Sequence, residues 1–360
     1  MSRMWCNFTV FILVVIWGFA NPLSAQKATQ SKGTLIVLNK SEASASLISL
    51  DTDEVVATVA TGHGPHEVAI SPDGKTAVVS NYGVRGEPGS TLTVIDLTTA
   101  KVTSTIDLGK YQRPHGLVFL PDGERLLVTA EAQKKLLLVN LKTAKILQAL
   151  DTAQEVSHMV VFVPEVQNAF VANIGSGTVT VLDLVDLKKI TDIVTGAGAE
   201  GIDASPTGKE VWVSNRADNS LSVIDTKSRQ VVQKLESQSF PIRVKFTPDG
   251  KYVLVSNARS GDVKVFDAWT KKGIKTISMN VESVAGKEER LFSDRFGKSP
   301  VPVGILIHPD GQRAYVANTN ADIITVIELE NWQVVNRLQA GKEPDGMGFS
   351  PIQMSDYSKK

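Results

Sequence analysis

Histidine is rare in this chain, and three of the five histidines occur at one repeated position. His66, His115 and His158 each stand six residues before a proline that opens a turn. Imidazole is both a common metal ligand and a proton carrier near neutral pH. Because equivalent positions of a repeat fold face a common axis, the spacing predicts that the three rings meet in one metal-binding or catalytic centre.

The same position in the other repeats supplies two carboxylates and two apolar side chains. Alignment of seven units on the turn proline gives one column: His66, His115, His158, Glu200, Ile242, Val303 and Asp345. If the units close into a ring, Asp345 neighbours His66 and the polar members are contiguous. Three imidazoles with a carboxylate or water suit zinc, manganese or iron. We expect the histidines to hold a divalent transition metal, with Glu200 or Asp345 completing the shell or acting as general base.

Two alternatives fit the same column. The groups could bind an organic ligand directly, or they could form a polar, water-filled channel mouth with hydrogen bonds between histidines and carboxylates. His63, in the approach loop before His66, is predicted to support the site or to shuttle protons. His308 directly precedes a turn proline and is predicted to be structural.

Cationic and aromatic groups are expected around the column. The loops that follow the second strands should share its face and contribute Lys40, Tyr82, Arg85, Glu131, Arg216 and Arg259. Arg113 and Arg243 flank the column itself. Arginines around such a centre would suit a carboxylated or phosphorylated ligand through bidentate contacts, and ordinary solvated loop charges are the alternative. The expected ligand-binding set is Tyr82, Arg85, Arg113, Arg216, Arg243 and Arg259.

The elements that must position these residues are short strands. Residues 64–81 read as strand, S-P-D-G turn and strand, because Pro and Gly favour the turn between two alternating apolar runs. The cassette returns at 119–130, 204–215, 246–257 and 307–318, with a degenerate copy at 162–173.

A second landmark counts the repeats. An acidic residue or Asn ends a third strand at Asp51, Asp96, Asn140, Asp183, Asp225, Asp267 and Glu328. These residues are 45, 44, 43, 42, 42 and 61 positions apart, and a period near 43 with four strands is typical of a β-propeller blade. We predict seven blades, closed by a C-terminal strand that pairs into the N-terminal blade. The long interval predicts an insertion at 281–300 that acts as a lid or docking loop.

Residues 1–25 have a basic start, an apolar run and a small-residue end, as in a secretory signal peptide, with an uncleaved anchor as the alternative. The predicted organisation continues with a flexible lead-in at 26–33, the propeller at 34–351 and a tail at 352–360. Cys6 is the only cysteine, so cleavage would leave no disulfide or thiolate site. Lys and Arg number 38, as do Asp and Glu, which argues against a nucleic-acid binder.

The repeats resemble the YVTN-type β-propeller family of secreted and periplasmic proteins. Tyr315-Val316-Ala317-Asn318 is nearest the motif that names the family, and TVIDLTTAKV (93–102) and SVIDTKSRQV (222–231) match its other half. The resemblance spans about residues 34–351 and implies an all-β, seven-bladed propeller. Similar rings serve amine dehydrogenase subunits, haem-d1-binding domains, lactonases, lyases and non-catalytic binding proteins, so the fold does not decide the function.

Two classes of function stay open. The first is a metal-assisted lyase or hydrolase. The second is a cell-envelope binding or scaffold protein that uses the top face and the 281–300 loop, or a propeller that binds haem or another tetrapyrrole through a channel histidine. No C-x-x-C-H, H-E-x-x-H or G-x-S-x-G motif occurs. We expect a secreted or periplasmic monomer whose partner is a small-molecule ligand or an envelope protein.

Overall fold

The computed structural model describes Met1, residues 32–281 and residues 295–354. Within these ranges the chain forms seven antiparallel sheets of four strands each, as predicted. The predicted signal peptide, most of the lead-in, most of the insertion and the end of the tail lie outside the described residues. In the described ranges, no helix combines the length and apolar character needed to cross a membrane.

The strands follow one another with short turns. In chain order they are β1 (Thr34–Asn39), β2 (Ser44–Ser49), β3 (Glu54–Ala60), β4 (Pro65–Ile70), β5 (Thr76–Val84), β6 (Glu87–Asp96), β7 (Lys101–Asp107), β8 (Pro114–Phe119), β9 (Arg125–Ala130), β10 (Lys135–Asn140), β11 (Lys145–Asp151), β12 (Ser157–Val163), β13 (Asn168–Asn173), β14 (Thr178–Asp183), β15 (Lys188–Val194), β16 (Ala199–Ala204), β17 (Glu210–Asn215), β18 (Ser220–Asp225), β19 (Gln230–Glu236), β20 (Pro241–Phe246), β21 (Tyr252–Asn257), β22 (Asp262–Asp267), β23 (Gly273–Ser278), β24 (Pro302–Ile307), β25 (Arg313–Asn318), β26 (Ile323–Glu328), β27 (Gln333–Gln339) and β28 (Pro344–Ser350). Short 3-10 turns occupy Lys40–Glu42, Glu131–Gln133 and Pro164–Val166.

The ring closes as the sequence predicts. Blade 1 has the strand order β28-β1-β2-β3, and Thr34 of β1 pairs with Ser350 of β28. Blades 2 to 7 take four consecutive strands each, from β4–β7 through β24–β27. The first strands of neighbouring blades contact one another around the whole ring, from β4 and β8 to β24, β28 and β4. These seven inner strands therefore surround the central channel.

The core consists of apolar layers between adjacent blades. One such layer joins blades 5 and 6, where the fully buried Trp212 meets Phe246 and Phe266 edge-on with ring centroids 5.7 and 6.1 Å apart. Each sheet is covered on both faces, which explains why the strands are rich in Val, Ile and Leu. Because the blades are held by these layers, the inner strands form a rigid frame for side chains at the channel mouth.

The repeated Asp and Asn residues serve the architecture of the blades. Asp96 accepts the Thr98 backbone N–H at 2.7 Å and so caps the turn between the third and fourth strands. Asn81 donates to the Thr91 and Thr93 hydroxyls of the neighbouring strand at 2.9 and 3.0 Å. Its side-chain oxygen accepts the Gly62 N–H at 3.0 Å, and this bond fixes the loop that leads into β4, the inner strand of the same blade.

Candidate functional site

Four members of the predicted column lie side by side at the channel mouth. The His66 and His115 ring centroids are 5.0 Å apart, and the His115 and His158 centroids are 3.5 Å apart. The His158 Nε2 atom lies 3.5 Å from the Glu200 Oε1 atom. Asp345 is close enough to His66 to act on its charge. The structure therefore brings together the contiguous polar arc expected from the repeats.

A second column faces the first. It consists of the residues that directly follow Asn39, Asn81, Ala130, Asn173, Asn215, Asn257 and Asn318 in the second strands, and its charged and aromatic members are Lys40, Tyr82, Glu131 and Arg216. Lys40 Nζ lies 2.7 Å from Asp345 Oδ2, and Arg216 Nη1 lies 2.7 Å from Glu200 Oε2. Glu131 pairs with His158 through Nδ1. Each of these three carboxylates, Asp345, Glu200 and Glu131, thus meets a lysine, an arginine or a histidine.

Glu131 sits between a phenol and an imidazole. The Tyr82 hydroxyl donates to Glu131 Oε2 at 2.6 Å, and the other Glu131 oxygen contacts His158. Burial alone would lower the pKa of His158, but Glu131 and Glu200 outweigh it and raise that pKa to about 9. Burial and Glu131 raise the pKa of Tyr82 above its ordinary value, so the phenol remains a donor.

His115 has the opposite environment. Its side chain is buried, and burial with the neighbouring His158 and His66 lowers its pKa well below the ordinary value, so the ring is neutral. Its Nδ1 atom is buried and has no hydrogen-bond partner among the described residues. One ligand atom each of His115, Glu131 and His158 fall within 4.8 Å of one another. This trio is a candidate metal centre, and Glu131 stands in it where the sequence led us to expect His66.

His66 lies at the edge of the cluster. Its Nδ1 atom contacts the Gly64 carbonyl oxygen at 2.8 Å, and a carbonyl only accepts, so Nδ1 carries the proton. Burial and the charge of Lys40 lower the pKa of His66 well below its ordinary value. The ring is therefore neutral with the lone pair on Nε2. Its face lies against Tyr82, with centroids 4.4 Å apart.

A cavity of about 480 Å³ opens beside His66. Its lining comes from blades 1 to 3 and includes the predicted residues His63, His66, Tyr82, Arg85 and Arg113, together with Lys40 and Glu343. His115, Glu131 and His158 are absent from this lining, so Tyr82 and His66 stand between the cavity and the trio. The volume falls in the range of small-molecule and cofactor sites.

The remaining predicted arginines have other surroundings. Arg243 reaches Glu67, which belongs to blade 2 on the opposite side of the ring, and its Nη2 atom lies 3.9 Å from Asp345 Oδ1. Arg259 lies over the Phe240 and Phe296 rings, 5.3 and 5.9 Å from their centroids. These two arginines and Arg216 are thus engaged with groups of the protein itself.

The apolar part of the mouth completes the circle. Ile242 and Val303, the apolar members of the column, pack in one buried cluster with Phe240, Phe296 and Val301. Phe296 follows the part of the predicted insertion that lies outside the described residues. His308 contacts the Phe349 ring at a centroid distance of 4.5 Å, which fits the structural role predicted for it.

Two residues of the site were missed by the sequence analysis in different ways. The sequence analysis places Glu131 on the same face as the histidine column but not among the metal ligands, and it gives Glu67 no role. The sequence does contain a signal for Glu67. At the position five residues before the turn proline, four of the seven repeats have glycine, and the other three have Glu67, Met159 and Arg243. The two charged exceptions are the partners that meet across the channel.

Comparison with known proteins gives the fold relationship. A model of the YNCE-like β-propeller matches residues 18–125. The hydrazine synthase of Kuenenia stuttgartiensis is similar in structure, with a TM-score of 0.65, 21% identity, and coverage of 79% of this chain and 88% of that chain. A functionally unknown protein from Desulfotomaculum acetoxidans DSM 771 has a TM-score of 0.72 and 15% identity, with coverage of 89% and 99%.

The search of curated proteins found no match. At these identities the structural likenesses show the fold alone. The model of the cytochrome D1 heme domain matches residues 87–288, which is more than half of the chain. On that match, this β-propeller belongs to the cytochrome D1 heme domain family.

Proposed function

We propose that this protein binds a divalent metal ion through His115, Glu131 and His158 and uses it in hydrolysis or elimination. The observation that carries the proposal is the buried, unpartnered Nδ1 of His115 beside two further potential ligands within 4.8 Å. A buried polar atom without a partner costs about 1–3 kcal/mol, so nearly all such atoms are satisfied in folded proteins. A cation would satisfy this one.

The charges of the trio support the same assignment. In the metal-free protein, protonated His158 neutralises Glu131. A divalent ion would replace that proton, because an imidazole binds metal only in its neutral form. Three protein ligands with an open position are typical of catalytic zinc sites, where the ion acidifies a bound water.

The surrounding groups hold the ligands in place. Tyr82 orients Glu131 through its hydroxyl, and Glu200 lies against the far nitrogen of His158. Arg216 fixes Glu200 in turn. Such outer hydrogen bonds fix the direction of metal ligands. In this arrangement Glu200 orients a ligand, rather than serving as the free general base suggested by its place in the column.

The test is elemental analysis of purified protein, before and after reconstitution with zinc, manganese or ferrous iron. We expect about one equivalent in the wild type and none in His115→Gln, which retains a polar side chain of similar size. His63→Gln is the matched control, because His63 lines the mouth but lies outside the trio. Absence of metal from the reconstituted wild type would refute the proposal.

A second candidate function is haem or tetrapyrrole binding in the cavity. The observation in its favour is the neutral His66, whose Nδ1 proton is fixed by Gly64 and whose Nε2 lone pair is left for a ligand. Family membership adds to this support. His66 would bind the iron, and Arg85 and Arg113 would meet the carboxylates of the macrocycle. Bound haem would supply redox chemistry.

Visible absorption distinguishes the two candidates. A haem titration should give a saturable spectral change that His66→Ala removes and His115→Gln leaves intact. A change that is insensitive to His66→Ala would contradict this assignment. Export to the periplasm is part of both proposals, and it predicts that protein recovered from that compartment begins near residue 26.

A further inference from the structure

The cavity beside His66 carries an imbalance of charge. Besides Tyr82, its charged or titratable lining consists of Lys40, His63, His66, Arg85, Arg113 and Glu343. Lys40 is matched by Asp345 at 2.7 Å, and Glu343 accepts a hydrogen bond from the Ser41 hydroxyl. Neither Arg85 nor Arg113 has a carboxylate within ion-pair distance in the described part of the chain. The cavity lining therefore holds two guanidinium groups that have no ion pair among the described residues, against the one carboxylate of Glu343, and its net charge is positive.

Arg113 is held in a defined position. Its guanidinium carbon lies 5.0 Å from the centroid of the Tyr82 ring, so the planar group rests on the aromatic ring. Tyr82 is in turn fixed by its hydrogen bond to Glu131. A guanidinium held in this way loses little conformational freedom when it binds, which favours recognition of a planar anion by two parallel hydrogen bonds.

The rest of the lining is suited to a small organic molecule. Ala43, Val84 and the glycine backbone at Gly64 and Gly83 provide apolar and closely approachable walls. The Nε2 lone pair of the neutral His66 provides one hydrogen-bond acceptor. We propose that this cavity binds the carboxylate group of a small organic acid, with Arg113 and Arg85 as its cationic partners.

This inference extends the proposed function by assigning the class of ligand that lies beside the metal centre. It depends on different side chains, because Arg85 and Arg113 belong to the cavity and His115, Glu131 and His158 do not line it. Tyr82 contacts both sets of residues through its ring and its hydroxyl. The two sites can therefore be tested, and can fail, separately.

The experiment is isothermal titration of the full folded chain with succinate, citrate, inorganic phosphate and haem, at ionic strength matched with sodium chloride. We expect saturable binding of at least one of the two organic acids. Arg113→Met and Arg85→Met should each weaken it about tenfold or more, because each variant removes a charge-assisted hydrogen bond to the carboxylate. Arg259→Met is the matched control, because Arg259 contacts Phe240 and Phe296 outside the cavity.

Several outcomes would overturn the inference. These are no saturable binding of either acid by the wild type, binding of phosphate or haem alone, or an equal loss in Arg259→Met. If Arg113→Met fails to fold, Arg113→Lys replaces it; lysine keeps the charge but lacks the two-pronged geometry, and at least several-fold weakening is expected. Metal content is measured in the same samples. A failed metal site would appear as absent metal with succinate or citrate binding intact.

Discussion

The ion pair between Arg243 and Glu67 joins opposite blades across the channel, and its removal should destabilise the whole ring. The Arg243 side chain is 5% exposed and the Glu67 side chain is 13% exposed. Breaking a buried pair by removing one partner costs about 3–5 kcal/mol, because the other charge is left without compensation. Glu67→Gln is the milder change, since Asp345 still lies 3.9 Å from Arg243.

The attraction between Arg243 and Asp345, which remains in Glu67→Gln, determines which variant should be the less destabilised. At 3.9 Å and an effective dielectric constant of about 20, the interaction of Arg243 with Asp345 is about 4 kcal/mol before desolvation is subtracted. We therefore expect Glu67→Gln to lower the free energy of unfolding by about 2–3 kcal/mol. Arg243→Met, which leaves both Glu67 and Asp345 without this cation, should lower it by about 3–5 kcal/mol.

The assay is equilibrium urea unfolding followed by tryptophan fluorescence, after reversibility has been verified. The double variant should be less destabilised than the sum of the two single variants, because the residues contact each other. Lys188→Met is the control: its exposed pair with Asp186 should leave the urea midpoint unchanged. If both single variants unfold at the wild-type midpoint, the claim that this bridge holds opposite blades together is wrong.

Three further predictions concern the frame of the site. Folding raises the pKa of His158 from 6.5 to about 9, so protonated His158 stabilises the folded state fully below about pH 6.5, and this stabilisation disappears as the pH rises through 9. In urea unfolding, the free energy of unfolding of the metal-free protein should therefore fall by a few kcal/mol between pH 6 and pH 9.5. His158→Gln should abolish that pH dependence. Asn81→Ala should cost about 1–3 kcal/mol by the same assay, because it removes the Asn81 hydrogen bonds to the Gly62 N–H and to the Thr91 and Thr93 hydroxyls and leaves the Gly62 N–H only its longer bond to Thr93 at 3.3 Å; an unchanged midpoint would contradict the role of this side chain. Gly116→Ala places a methyl group 2.6 Å from the His158 carbonyl oxygen, so it should lower both the stability and the metal content of the protein. Wild-type stability and metal content in this variant would contradict the close packing of Gly116 against His158.

The sequence was sufficient for the fold because the repeats are local. The S-P-D-G turn and the Asp96-type caps each involve neighbouring residues, so their spacing alone counts the blades and predicts closure. The column of histidines was also predictable, since equivalent positions in a ring face one axis. His66, His115 and His158 accordingly lie together.

The composition of the trio could not be predicted in the same way. Whether Glu131 or His66 reaches His158 depends on side-chain direction and on the lateral distance between blades, which no spacing encodes. The pair of Arg243 and Glu67 is separated by 176 residues and depends on the diameter of the channel. Its only sequence signal is that two repeats carry a charged residue at a position where four repeats have glycine.

The closing strand has a consequence for the order in which the protein is made. Lys40 belongs to the first blade to emerge from the ribosome, whereas its partner Asp345 lies in β28, near the end of the chain. Until β28 is synthesised, β1 presents an unpaired edge, which is a template for aggregation. A chain that terminates before β28 would therefore both lack one wall of the channel mouth and expose an unpaired strand edge.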